Sequence, residues 1–248
     1  MKKIAVLIAM LPVTAFLLAG CEEATTQPDP VDTYRVEAIL VKYLTDQSAR
    51  LDLSLLKNGE LYKNADIKLD AFNLDTGLTG YFLVFGSGIL GSDSSYTLSI
   101  EDSTLLDVNL TINLPGDLTA EVTDLPASRI YSGGSVNVDW TVSSGTEGYI
   151  LATVPPDTIA ADSGYEAYVS GTSGAITPEA LNFNQLLMRG HHKVLLMAYT
   201  GAPSEATAVP FEIPTANNPE DSVFSTRLSG RIAGMVVAIP DSIIVPSQ

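Results

Sequence analysis

The chain has one cysteine, two histidines and one tryptophan in 248 residues, and 13 basic side chains against 29 acidic ones. Each scarcity closes a class of function. A lone cysteine rules out an intramolecular disulfide and any cysteine-rich zinc or iron–sulfur centre. Two histidines leave little material for a catalytic triad or a histidine-rich metal site. A net charge of −16 has the wrong sign for nucleic acid, whose phosphates demand a basic face. Charged residues make up only 17% of the chain and hydrophobic ones 46%, so it is not disordered by composition and can bury a substantial core. Its length suits one large domain or two ordinary ones.

Residues 1–21 read MKKIAVLIAMLPVTAFLLAGC. Lys2 and Lys3 form a positive start, and Ile4 to Leu18 is an uncharged apolar run of 15 residues. Crossing the roughly 30 Å of a bilayer core takes about 20 residues. The run is short for a span and suits the apolar region of a secretory signal. It closes on Leu18-Ala19-Gly20-Cys21, which resembles the lipobox of bacterial lipoprotein signal peptides. The resemblance implies that residues 1–20 are a signal peptide cut off ahead of Cys21. It also implies a diacylglyceryl group on the Cys21 sulfur and acylation of the new amine. Cys21 is thus the expected lipidation site, and the membrane, reached through that lipid, an expected partner. Burial of each acyl CH₂ contributes about 0.8 kcal/mol, and two or more chains hold where one does not. Loss of the signal removes two of the 13 basic residues and none of the acidic ones, moving the charge from −16 to about −18.

The next residues, EEATTQPDPVDT at 22–33, contain Pro28 and Pro30 and no apolar periodicity. Residues 21–33 therefore read as a lipidated cysteine and flexible tether. Within the lipoprotein resemblance, Glu22 rather than Asp after the cysteine fits passage to an outer membrane. The Glu22-Glu23 pair resembles surface-export signals of some bacterial groups.

From Tyr34 the dominant period is two. Arg50 to Leu55 alternates polar and apolar, as a half-buried strand does, and Asn58-Gly59 then supplies a tight hairpin turn. Ile67, Leu69 and Ala71 alternate, as do Tyr96, Leu98 and Ile100, and Val108, Leu110, Ile112 and Leu114. About seven short strands over 34–115 predict a first β-sandwich. A second unit over 118–214 opens with Val136-Asn137-Val138-Asp139-Trp140, then Gly148-Tyr149, and later Val194 to Gly201. These residues resemble a fibronectin type III or related immunoglobulin-like module, with Ser204 to Pro214 as its last strand. One departure from that pattern is His192, which stands where the family often has a corner tyrosine. Thr177 to Met188 is the one stretch with helical features, Pro178 suiting a first turn. Residues 215–248 are a C-terminal extension expected to add strands to the second sandwich. Arg227, Arg231, Gly230 and Gly234 interrupt it too often for a membrane helix.

Candidate chemistry is thin. His191 and His192 are neighbours on a predicted strand and point to opposite faces, so they do not converge on one metal. Asp75, Asp93, Glu101 and Asp102, and then Asp157, Asp162 and Glu166, fall at or near turns, but no stretch has the calcium-loop pattern. Nothing selects a glycosidase pair from the acids. Gly86-Ser87-Gly88 and Gly171-Thr172-Ser173-Gly174 are turns rather than nucleophile elbows. Trp140 closes an alternating strand and is expected in the core, which leaves tyrosines such as Tyr131, Tyr165 and Tyr168, the last two on a strand expected at Tyr165 to Val169, as candidates for a sugar or peptide platform, with loop tyrosines the better ones.

The expected fold is all-β: two tandem immunoglobulin-like β-sandwiches after a lipoprotein signal peptide and tether. The expected function is that of a non-enzymatic envelope lipoprotein without cofactor or metal, serving binding, adhesion or structural spacing. Its expected location is the bacterial outer membrane, on the periplasmic or surface face, with an envelope protein or glycan as ligand. The alternative is an accessory or enzymatic role on polysaccharide through loop carboxylates.

Overall fold

A computed structural model describes residues 32–103, 106–125, 128, 130–154, 165–178, 181, 190–203 and 221–246. Cys21, the rest of the tether up to residue 31, and the strand expected at 204–214 lie outside these residues. So does most of the stretch 177–188 with helical features.

The described residues are all-β. In the first half the strands are Tyr34–Tyr43 (β1), Ala49–Lys57 (β2), Glu60–Leu61 (β3), Asp66–Leu69 (β4), Phe72–Asn73 (β5), Asp75–Thr76 (β6), Tyr81–Phe85 (β7), Ser94–Asp102 (β8) and Leu106–Leu114 (β9). In the second half they are Ala120–Val122 (β10), Val136–Trp140 (β11), Gly148–Val154 (β12), Tyr165–Val169 (β13), Ser173–Ile176 (β14) and Gly190–Gly201 (β15). The last three are Ser222–Val223 (β16), Leu228–Ala238 (β17) and Ser242–Val245 (β18).

Two small sheets pack on one large one. The large sheet has the order β13-β12-β15-β17-β1-β2-β7-β6, while β5-β4-β8-β9 and β10-β11-β14 form the small sheets. The first core lies between the large sheet and β5-β4-β8-β9. There Val36, Leu40, Leu51 and Leu55 meet Ile67, Leu69, Leu98, Ile100 and Ile112. In the second, Val136, Val138 and Trp140 meet Tyr149, Leu151, Val194, Leu196 and Ile243. Alternation explains these faces: β11 reads buried–exposed–buried–exposed–buried, with the apolar side chains inward.

Residues 215–248 do more than extend the second lobe. β17 runs through the middle of the large sheet, parallel to β1 over ten residue pairs from Tyr34↔Leu228 to Tyr43↔Val237. Its other edge is antiparallel to β15 from Gly201↔Ala233 to Leu196↔Ala238. Leu228 belongs to the first core and Val236 and Ala238 to the second. One sheet therefore passes through both lobes, and Asp32–Gln248 forms a single compact unit. Parallel neighbours require a crossover, and here the crossover is nearly the whole body.

The central strands are buried on both faces, which is why they read as unbroken apolar runs rather than alternations. The face turned away from the small sheets carries Ile39, Val41, Ile150, Ala152, Leu195, Met197, Ala233, Met235 and Val237, all buried.

Two glycines let β17 fit. Gly230 has φ +140°, and a Cβ there would fall on the carbonyl of Val36; a Cβ at Gly234 would fall on the carbonyl of Asn113 at the end of β9. Both obstacles are backbone, so neither can swing aside. Gly230→Ala and Gly234→Ala are each expected to cost about 3 kcal/mol or more. Gly171→Ala, with open space around it, should stay within about 0.5 kcal/mol. Urea midpoints of the three variants check this ranking.

Candidate functional site at the tether exit

The body begins where the expected tether ends, and the first two described residues are held firmly. The Asn-Gly turn after β2 has φ of 53° at Asn58 and 86° at Gly59, the left-handed values such a hairpin needs. That geometry aims the Asn58 side chain at the incoming chain. Its Oδ1 accepts from the Thr33 backbone N at 2.9 Å, and its Nδ2 donates to Asp32 Oδ1 at 2.9 Å. Lys57 Nζ pairs with Asp32 Oδ2 at 2.8 Å, and Arg227 Nε donates to the Asp32 carbonyl at 3.0 Å. Asp32 and Thr33, expected within the segment 21–33, are thus fixed to two separate segments, the end of β2 with its turn and the residue before β17.

A second layer lies beneath. Tyr34 and Tyr62 donate their hydroxyls to the two oxygens of Asp102, at 2.6 and 2.8 Å, and the Asp102 side chain is fully buried. Lys57 Nζ sits 5.5 Å from the Tyr34 ring centre and 5.1 Å from that of Tyr62, a cation–π arrangement. The Tyr62 hydroxyl is pushed up to about 12, first by its bond to Asp102 and then by burial. Asp32 is held below the ordinary carboxylate value, chiefly by Lys57 and then Asn58, and Lys57 is raised in turn, chiefly by Asp32. Every polar atom named in this cluster is committed to another. The cluster is a clamp on the first residues of the body.

Elsewhere the predicted candidates scatter. Asp75, Asp93 and Glu101 are exposed on the first lobe, while Asp102 is buried in the clamp. Asp157, Asp162 and the side chains of Tyr165 and Glu166 lie outside the described residues. Among the described residues no group of three His, Cys, Asp or Glu side chains converges as a metal site. His191 is exposed and His192 buried, as a strand pair with opposite faces requires. Trp140 is in the second core, 5.5 Å from the Tyr149 ring.

The tyrosine platform is corrected by the structure. Tyr131 is buried and donates its hydroxyl to the Gly134 carbonyl at 2.7 Å. Tyr168 lies on β13, the strand expected at Tyr165 to Val169, edge-on to Tyr199 at 5.6 Å, with its hydroxyl pushed up to about 12 by burial.

Two arrangements were missed by sequence reasoning. On the outer face of the small sheet β10-β11-β14, Glu121 stands directly opposite Asp139. Adjoining grooves there are lined by Thr119, Asp124, Asn137 and Ser173. Between the two cores Lys42, nearly buried, donates to Ser92 Oγ at 2.8 Å and faces Asp117 at 3.7 Å. Ser92 donates its own hydroxyl to the same Asp117 carboxylate. The trio ties β1 to the loops that carry Ser92 and Asp117. The available signal was a lysine at a core-facing position of an apolar strand, two after Leu40.

No family model and no curated protein matches the chain. Among solved structures it is similar to the chicken CNTN1 FN1–FN3 domains at 12% identity and a TM-score of 0.26, covering 85% of this chain and 64% of that one. It is also similar to a structure of Dpr11 IG1 bound to DIP-gamma IG+IG2, at 14% identity and a TM-score of 0.25, covering 82% and 99%. At those scores neither carries an argument.

The clamp predicts a pH dependence. Asp32, lowered in the folded state, contributes stability that is present above about pH 4 and lost as acid titrates it. Tyr62, raised in the folded state, contributes stability that is complete below its ordinary value of 10 and lost as pH climbs toward 12. The thermal midpoint should hold between these limits and fall beyond them, and Tyr62→Phe should fall less steeply than wild type on the alkaline side. Parallel alkaline slopes would contradict the clamp.

Proposed function

We propose that this chain is a non-enzymatic envelope lipoprotein, anchored by lipid on Cys21 and presenting its β-body for binding, adhesion or spacing at the bacterial outer membrane. The observation that carries the reading is the seating of Asp32 and Thr33. A proline-containing acidic segment of ten residues, 22–31, separates Cys21 from a body whose first residues are fixed by Lys57, Asn58 and Arg227. Such a seat has a use if the preceding segment is a tether. The thin catalytic inventory supports the same reading: the buried Asp102 and Lys42 are each bound to structural partners, and most of the other described acids are exposed. The ligand class in this reading is an envelope protein or glycan reached from the membrane surface.

Metabolic labelling tests the anchor. Cys21→Ala should abolish incorporation of labelled palmitate and release the protein from the membrane fraction, and undiminished labelling would end the lipoprotein reading. Protease treatment of intact cells then separates the faces: digestion places the body on the surface, and full protection places it in the periplasm.

A further inference from the structure

Topology at the tether exit carries a mechanical consequence. A tether pulling on Asp32 pulls along the axis of β1 from its first residue. β1 is not an edge strand. It is paired with β17 over ten positions on one side and with β2 over nine on the other. The ladder is extended at both ends by Tyr34 N to the Arg227 carbonyl at 2.6 Å and Leu44 N to the Val237 carbonyl at 2.9 Å.

Beyond β17 the chain continues in the same direction. β17 ends opposite Leu196, and β18 resumes opposite Lys193 and runs to Val245 opposite Gly190, both against β15. Residues 228–245 therefore form one column of about 50 Å at the usual strand rise, parallel to β1 and starting level with it. Asp32 lies at one end of this column and Pro246 at the other.

We infer that the large sheet carries tension between the lipid anchor and the second lobe; this rests on the proposed tether at Cys21. Pulling Asp32 against the second lobe slides β1 along β17 and β2, so all their hydrogen bonds resist together. Peeling a hairpin breaks them in sequence, each worth only about 1 kcal/mol net. Side chains cross the same seam. Arg35 of β1 and Arg231 of β17 both grip Asp221, at 2.6 and 3.0 Å. The Asp32 seat passes load to β2 through Lys57 and to the turn before β17 through Arg227.

Single-molecule pulling of residues 21–248 tests this directly, because Cys21 is the only thiol and serves as one handle. With the second handle after Gln248, the load shears β1 against β17. In a Glu60→Cys variant held through its two cysteines, the load peels β1 from β2 beginning at the Tyr34↔Lys57 pair. Forced rupture reports the unfolding barrier along the pulled direction. The rupture force at equal pulling speed should be several-fold higher along the first axis. Equal forces, or a stepwise yield at low force along the first axis, would overturn the inference. Persistent palmitate labelling of Cys21→Ala would remove the tether while leaving this ratio intact, so the two failures are distinguishable.

Discussion

The pairing of β17 with β1 on one edge and β15 on the other is the contact on which the rest of the molecule depends. Remove it and the large sheet divides into β13-β12-β15 and β1-β2-β7-β6, each with an open edge. Unpaired edges of long apolar strands are liabilities for aggregation. The partners are separated by nearly the whole body, so this contact must overcome a large loop-closure cost and is expected to form late. Its position explains why glycine stands at 230 and 234, where a Cβ would strike backbone on β1 and β9.

Charge is used sparingly inside and freely outside. The polar groups buried within the body sit where strands must be registered rather than where chemistry would happen. Asp102 receives two tyrosine hydroxyls near the start of β1, and Lys42 marks the boundary between the cores. Asp52, nearly buried on β2, is gripped by both nitrogens of Arg50 at 2.7 Å. Removing one partner from such a group strands the other in a low dielectric, which costs more than the pair contributes. The remaining carboxylates solvate the surface. Placing Glu121 opposite Asp139 spends a little stability, since like charges facing across a ladder repel.

Local signals in the sequence were read correctly where local physics decides the outcome. Asn58-Gly59 forms its turn because both residues accept positive φ, and β11 alternates because one face meets Trp140's core and the other meets water. His191 and His192 diverge for the same geometric reason. The placement of β17 was beyond such reading, because parallel pairing of residues 194 positions apart leaves no mark on either strand's pattern. An apolar run with two glycines looks the same at the centre of a sheet as at its margin. Tyr131 and Tyr168 do not form an open platform, because burial depends on what the fold brings over a side chain and local pattern does not show it. Asp102 looked like one more turn carboxylate, and only the meeting of Tyr34 and Tyr62 above it sets it apart.

The central claim is that β17 makes one cooperative body of two lobes, and Trp140 offers a clean probe because the only tryptophan lies in the second core. Equilibrium unfolding in urea, followed in parallel by Trp140 fluorescence and by far-ultraviolet circular dichroism over all strands, measures whether the lobes separate. A single transition with coincident midpoints is the predicted result. A fluorescence transition displaced from the dichroism transition, with a plateau between them, would show two independently stable sandwiches and contradict it.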